Sequence, residues 1–208
     1  MNGGQRITIV DFGMGNLGTV QRKFDRVGAR AIVSSRAADV LDADKIVLPG
    51  VGHFGQAMQT LRELTLLEAL QEVAQVKRRP ILGICLGMQL MAKRSEAGAV
   101  AGLGWLDADV TRFEVSDPRR FKVPHIGWSK VTRPRESALL RGVAADAEFY
   151  FSHGYTVRVA QADAIVAEGD YSHSFVAGIE RGNLFGVHFH PEKSHNVGER
   201  VLQNFMEL

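Results

Sequence analysis

Cys85 is the one cysteine in 208 residues, and glycines stand two positions before and after it in Gly83-Ile-Cys85-Leu-Gly87. Pro80 to Ile84 is an apolar run that predicts a buried strand, and Leu86 to Met91 holds good helix formers. Cys85 therefore falls where strand becomes helix. A nucleophile flanked by small residues at such a junction can sit on a sharp, strained turn that lifts its side chain above the sheet. The next backbone N–H, that of Leu86, then points to where an oxyanion would form. A helix N-terminus also favours the reactive thiolate. The chemistry this suits is nucleophilic attack on an acyl carbon. A lone cysteine in an arbitrary strand is more often inert packing, but the two glycines at this junction reverse that.

A cysteine nucleophile needs a base and a group to orient it. Seven histidines are present, and His190-Pro191-Glu192, following the apolar run Leu184 to Phe189, is the best pair. In extended chain, positions two apart share a face, so Glu192 sits beside His190. Its carboxylate would fix the imidazole tautomer and stabilise the imidazolium. Pro191 cannot donate to a ladder, so the strand ends there, at a rim; a plain solvated turn is the alternative. His188 and His190, with His195 nearby, also raise zinc, but no further ligand cluster accompanies them and Cys85 would lose its role, so no metal is expected. His53, His125, His153 and His173 are scattered and read as surface or hydrogen-bonded structural histidines. A second oxyanion donor is available in Pro49-Gly50-Val51-Gly52, at the carboxyl end of a strand, where sheets of this kind bind ligands. Glycines let a peptide plane there turn its N–H into the site or away. The same stretch would also serve as an ordinary strand-to-helix turn.

Strands are expected at Arg6 to Val10, Ala31 to Val33, Lys45 to Leu48 and Pro80 to Ile84. Between them lie helices: one from Leu17 to about Gly28 and one over Met58 to Val76, with Leu61, Leu64, Leu67, Leu70 and Val73 as its apolar stripe. Such alternation implies a parallel sheet with helices on its faces. After Met91 the texture changes. Ala97 to Gly104 reads as loop, and Trp105 to Phe113 as extended. Phe149 to Val159, Ala164 to Ala167, Phe175 to Ile179 and Leu184 to Phe189 read as strands of an antiparallel or mixed portion. A helix from Gly198 to Leu208 closes the chain, with Val201, Leu202, Phe205 and Met206 facing inward.

The length fits one domain over residues 1–208. With 45% apolar and 23% charged residues, wholesale disorder is excluded. The net charge of +2, with Arg119, Arg120 and Lys122 as the densest basic stretch, implies no nucleic acid. Neither a spanning apolar stretch nor a signal peptide is seen, and a single cysteine fits a reducing cytoplasm. Gly13-x-Gly15-x-x-Gly18 matches a dinucleotide fingerprint. The second strand, however, ends in Ser34, Ser35 and Arg36 rather than an acid. An NADP-dependent oxidoreductase is thus a distant alternative, and the stretch reads as a tight turn opening a helix.

Taken together, Gly83-Ile-Cys-Leu-Gly-Met-Gln89, Phe189-His-Pro-Glu-Lys193 and Pro49-Gly-Val-Gly52 resemble the class I (triad) glutamine amidotransferases. Within them the chain resembles the glutaminase subunits of imidazole glycerol phosphate synthases. That narrower likeness rests on Asp11-Phe-Gly-Met-Gly-Asn-Leu17, Pro49-Gly-Val-Gly-His-Phe54, Pro124-His-Ile-Gly-Trp128 and Tyr150-Phe-Ser-His-Gly-Tyr155. The resemblance implies an α/β, flavodoxin-like fold: a central, mostly parallel sheet flanked by helices, with an additional antiparallel or mixed portion. It implies hydrolysis of L-glutamine by Cys85, His190 and Glu192 without a cofactor. Gly50, Val51, Gly52 and Leu86 would line the oxyanion, while Gln89, Glu96 and the backbone of His153, Gly154 and Tyr155 would hold the substrate. Ammonia would pass to a (β/α)8-barrel cyclase subunit, with Asn16, Trp128 and Lys193 at the interface. Three positions depart from the pattern. Gly154 replaces a usual serine, His188 a commoner glutamine, and His195 follows Pro191-Glu-Lys-Ser194. A Ser-His ending also occurs in paralogues that feed ammonia to a sugar-modifying enzyme of surface-polysaccharide synthesis, which is the alternative reading.

Overall fold

The computed structural model describes residues 5–208. In chain order its first half holds β1 (Ile7–Val10), α1 (Leu17–Arg26), β2 (Ala31–Ser34), α2 (Ala37–Leu41), β3 (Lys45–Gly50), α3 (Phe54–Glu63), α4 (Leu66–Gln71), β4 (Ile81–Cys85) and α5 (Leu86–Leu90). Then follow β5 (Arg94–Ser95), β6 (Val100–Ala101), β7 (Ala108–Arg112), β8 (His125–Thr132), β9 (Glu148–His153), β10 (Tyr155–Val159), β11 (Ile165–Asp170), β12 (Ser174–Arg181), β13 (Leu184–Val187) and α6 (His195–Met206).

Nine strands form one sheet in the order β2-β1-β3-β4-β13-β12-β11-β8-β9. From β2 to β13 neighbours are parallel, and from β13 to β9 antiparallel. The parallel part follows the flavodoxin-like order, whose ligand crevice lies beyond the strand carboxyl ends. A four-stranded sheet, β10-β7-β5-β6, stands apart from it. The inner parallel strands β1, β3, β4 and β13 are buried on both faces, as their near-continuous apolar runs require. One face packs Val47, Leu82 and Ile84 with Val20 and Phe24 of α1 and Val201, Leu202 and Phe205 of α6. The other packs Ile46 and Leu48 with Val40, Leu61, Leu66 and Leu70 of α2 to α4. Lys45, buried at the start of β3, donates to the Phe205 and Met206 carbonyls and so caps α6. Among the described residues no helix is long and apolar enough to cross a membrane.

Several elements differ from the expectations. The helix expected over Met58 to Val76 is broken: α3 ends at Glu63, Thr65 is left-handed (φ 54°), α4 restarts at Leu66, and Glu72–Val76 winds as a π-turn. The leucine stripe runs at steps of three, which drift about 60° per step on a helix of 3.6 residues per turn. One straight helix cannot keep such a stripe on the sheet. Leu64 accordingly turns out to solvent and Leu66 is buried instead. Gly154 cuts the expected strand Phe149 to Val159 into β9 of the large sheet and β10 of the small one. The supposed loop Ala97 to Gly104 contains β6, and only Ala108–Arg112 of Trp105 to Phe113 is strand. The last helix begins at His195, and α2 has no counterpart among the expected elements.

The glycines around Cys85 act by lacking a Cβ. A Cβ on Gly83 would lie 2.6 Å from Met88 N, and one on Gly87 would lie 1.6 Å from the Leu48 carbonyl oxygen. Both contacts are with backbone, so α5 can settle onto β3 and β4 only over bare glycines. Gly87→Ala is expected to cost about 3 kcal/mol, the upper range for overpacking. Urea unfolding would measure it, and an unchanged midpoint would contradict the packing.

Candidate active site

Cys85 is the last residue of β4 and caps α5 with φ 52° and ψ −108°, a backbone no L-residue adopts without strain. The strand-to-helix turn expected at the elbow is therefore real, and its strain sits on Cys85 itself. Leu86 N–H, first in α5, has no intrahelical acceptor. In the β3–β4 register Gly50 lies opposite Cys85. Pro49 to Gly52 thus leaves the sheet beside the sulfur, with Val51 42% exposed and Gly52 at φ 122°. The Cys85 thiol donates a hydrogen bond to the Ser152 carbonyl at 3.7 Å.

His190 and Glu192 arrive from the other side. Strand β13 stops at Val187, and Pro191–Lys193 forms a 3₁₀ turn. The expected contact exists, but the turn makes it rather than an extended run: His190 Nδ1 meets Glu192 Oε1 at 2.8 Å, both side chains buried. The backbone is clamped as well. His190 N–H donates to the Tyr150 carbonyl (2.8 Å), while Ser194 Oγ donates to the His190 carbonyl (2.7 Å) and accepts from Tyr150 N–H (3.0 Å). His190 Nε2 is buried with no hydrogen-bond partner among the described residues. Burial opposes charge on this imidazole. The adjacent Cys85 and Glu192 outweigh it and push its pKa up to about 10. Nδ1 is taken by Glu192, which leaves Nε2 as the ring nitrogen open to a neighbouring group. Such an arrangement can hold an imidazolium beside a thiolate and pass a proton to a leaving group.

A family model described as glutamine amidotransferase class-I matches residues 8–208. The chain belongs to that family. It is 44% identical over 202 residues to imidazole glycerol phosphate synthase subunit HisH 2 of Pseudomonas aeruginosa, spanning 97% of this chain and 99% of that one. To subunit HisH of Moorella thermoacetica it is also 44% identical, over 97% of this chain and 94% of the relative. Among solved structures, that of a glutamine amidotransferase shares the fold, with TM-score 0.75 at 15% identity, over 97% of this chain and 99% of the other.

The remaining residues singled out in this amidotransferase divide into groups. Gln89, one helical turn after Cys85 and buried, holds His188 Nε2 at 3.0 Å. Glu96 is exposed, its Oε2 accepting from Arg112 N–H at 2.8 Å. His153 and Tyr155 flank the corner at Gly154, and His153 Nδ1 donates to the Tyr155 carbonyl. A Cβ on Gly154 would meet Pro124 and Val123 only at 3.8 Å, so the usual serine fits there. Trp128 is 43% exposed, stacks on His195 at 5.0 Å and meets Tyr150 edge-on, while Lys193 lies over the Tyr150 ring. Asn16 is exposed and caps α1 through Thr19 N–H. The glycine turn before it brings Gly15 against Gly50 of β3, a use of small residues apart from any dinucleotide. His188, His190 and His195 bond respectively to Gln89, Glu192 and the Trp128 face, and do not converge.

Sequence reasoning missed the residues behind Cys85, His190 and Glu192. Ser194 and Tyr150 lie inside quoted motifs, but nothing in the sequence marks them as the clamp on His190. His125 and His153, read as scattered, are neighbours through the β8–β9 register: Ser129 Oγ donates to His125 Nε2, and His125 Nδ1 to His153 Nε2. Burial pushes His125 down to about 4 and His188 down to about 4; burial and then neighbouring His188 push His153 down to about 2. All three are neutral when folded and take up protons near the ordinary value of 6.5 when unfolded. Folding stability must therefore fall as pH drops from 6.5 toward 4. His190, held protonated in the fold, opposes this slope near pH 6.5 and ceases to matter once the unfolded imidazole is protonated too, so the three neutral histidines decide the sign. The expected result is a melting temperature that declines steadily from pH 6.5 to about 4.5; a flat profile would contradict buried neutral histidines.

Proposed function

We propose that this chain is the glutaminase subunit of an imidazole glycerol phosphate synthase, acting as a single domain over residues 1–208 in the cytoplasm. The observation that carries the reading is the meeting of Cys85, His190 and Glu192, from segments a hundred residues apart, at the carboxyl rim of the parallel strands. The full-length likeness to subunits named HisH supports the pathway. Cys85 Sγ attacks the side-chain amide carbon of L-glutamine, and the oxyanion is met by Leu86 N–H and a peptide N–H from Gly50 to Gly52. His190 delivers the thiol proton to the nitrogen, the C–N bond breaks, and ammonia leaves. Water, giving its proton to His190, then cleaves the glutamyl thioester to glutamate and restores the thiol. Glu192 holds the imidazole. Gln89, Glu96 and the backbone of His153 to Tyr155 hold the substrate, and Val51 lies in the glycine-flanked turn after β3 whose peptide supplies the oxyanion donor.

Ammonia passes to a (β/α)8-barrel cyclase subunit that docks over Asn16, Trp128 and Lys193, all exposed. Coexpression of this chain with the barrel subunit from the same genome, in a host lacking both and starved of histidine, tests the reading. Growth is expected. No growth, with soluble protein that still hydrolyses glutamine, would instead favour an amidotransferase of surface-polysaccharide synthesis. The specific observation behind that second reading is His195, which stacks on Trp128 at the proposed docking face.

A further inference from the structure

His188, the buried partner of Gln89, has no part in the reaction above, and the hydrogen-bond directions of the pair are fixed from one end. His188 Nδ1 faces the Val176 carbonyl at 3.3 Å, an acceptor only, so Nδ1 carries the proton. Nε2 is then a lone pair, and its partner 3.0 Å away is the Gln89 amide nitrogen. The amide cannot flip without setting its oxygen against that lone pair. Its carbonyl oxygen is thus held on the far side from His188. Gln89 lies on α5, the helix that Cys85 opens, and His188 precedes His190 by two residues, so the pair stands beside the Cys85–His190 site. His188 is itself immobilised: it is fully buried, stacks on His153 with ring centroids 4.1 Å apart, and stays neutral because burial disfavours its charge.

We propose that His188 is a positioning residue for the glutaminase reaction: by accepting from the Gln89 amide it aims the Gln89 carbonyl oxygen at the substrate pocket, as a fixed acceptor for the α-ammonium group of L-glutamine. The inference rests on the glutaminase reading. A hydrogen bond made alike to bound substrate and to the transition state affects KM rather than kcat. A histidine that merely fills the core would affect stability and neither constant selectively.

The test is steady-state glutamine hydrolysis by the chain with its barrel partner, with melting temperatures for every variant. His188→Leu removes the acceptor and is expected to raise KM about tenfold with kcat within about twofold. His188→Gln offers an acceptor oxygen again and is expected to bring KM back within about threefold. Gln89→Ala is expected to raise KM by itself, and adding His188→Leu to it should change KM no further. An unchanged KM in His188→Leu, a glutamine variant no better than leucine, or additive effects in the double variant would each overturn the proposal. Wild-type protein that fails to hydrolyse glutamine would sink the underlying reading as well, whereas normal wild-type turnover beside an unmoved KM sinks this inference alone.

Discussion

Cys85→Ala is expected to lose glutamine hydrolysis by at least about 10⁴-fold while keeping its fold, because the lost step is a bond that no other group can form. Alanine is an L-residue like cysteine, so the strain of φ 52° at the elbow is unchanged. The hydrogen bond to the Ser152 carbonyl is lost, but the ladder between β3 and β4 is untouched. Affinity for the barrel subunit should be that of wild type, since Cys85 is buried. Glutamate release in a coupled assay measures the first effect, and circular dichroism with a binding titration measures the second. Turnover above about one per cent of wild type would rule out the thioester route.

His190→Ala is expected to be nearly as severe, about 10⁴-fold or more, and Glu192→Ala about a hundredfold less severe than that. The difference follows from geometry. In the proposed reaction His190 carries the proton and Glu192 acts on it through Nδ1, while the Tyr150 and Ser194 clamp still holds the His190 backbone when the carboxylate is gone. Glu192 is also one of the groups raising the His190 pKa. Its removal should therefore shift the His190-dependent limb of the pH–rate profile to lower pH, a readout that a purely structural role would not move. Equal losses in the two variants, or an unmoved limb, would contradict this division of labour.

The elbow was legible because its signals are local: an apolar run, a change of period and two glycines within five residues. The His190–Glu192 contact was legible too, although not for the reason that extended spacing suggests. Spacing identified two residues that meet; Pro191 starts a 3₁₀ turn that makes them meet differently. Non-local features stayed dark. The buried file of His125, His153 and His188 depends on β8 pairing β9 with His125 opposite His153, and on His188 following β13 at the centre of the sheet. No periodicity in those segments encodes that pairing. The small sheet was hidden for another reason, since β5 and β6 are two-residue strands too short to carry an alternation. Glu96 shows a further limit. Resemblance assigns it to the substrate, and its Oε2 is bonded to Arg112 N–H instead, leaving one oxygen for any ligand.

The central claim is that the Cys85 sulfur, activated by His190, is the atom that takes the glutamyl group. An L-glutamine analogue with a diazoketone in place of the side-chain amide alkylates such a sulfur, losing dinitrogen as the C–S bond forms, and peptide mass spectrometry locates the adduct. One adduct per chain is expected, on the peptide holding Cys85, blocked by excess L-glutamine, slowed in His190→Ala and absent in Cys85→Ala. An adduct on any other residue, or labelling of Cys85 that glutamine does not slow, would contradict it.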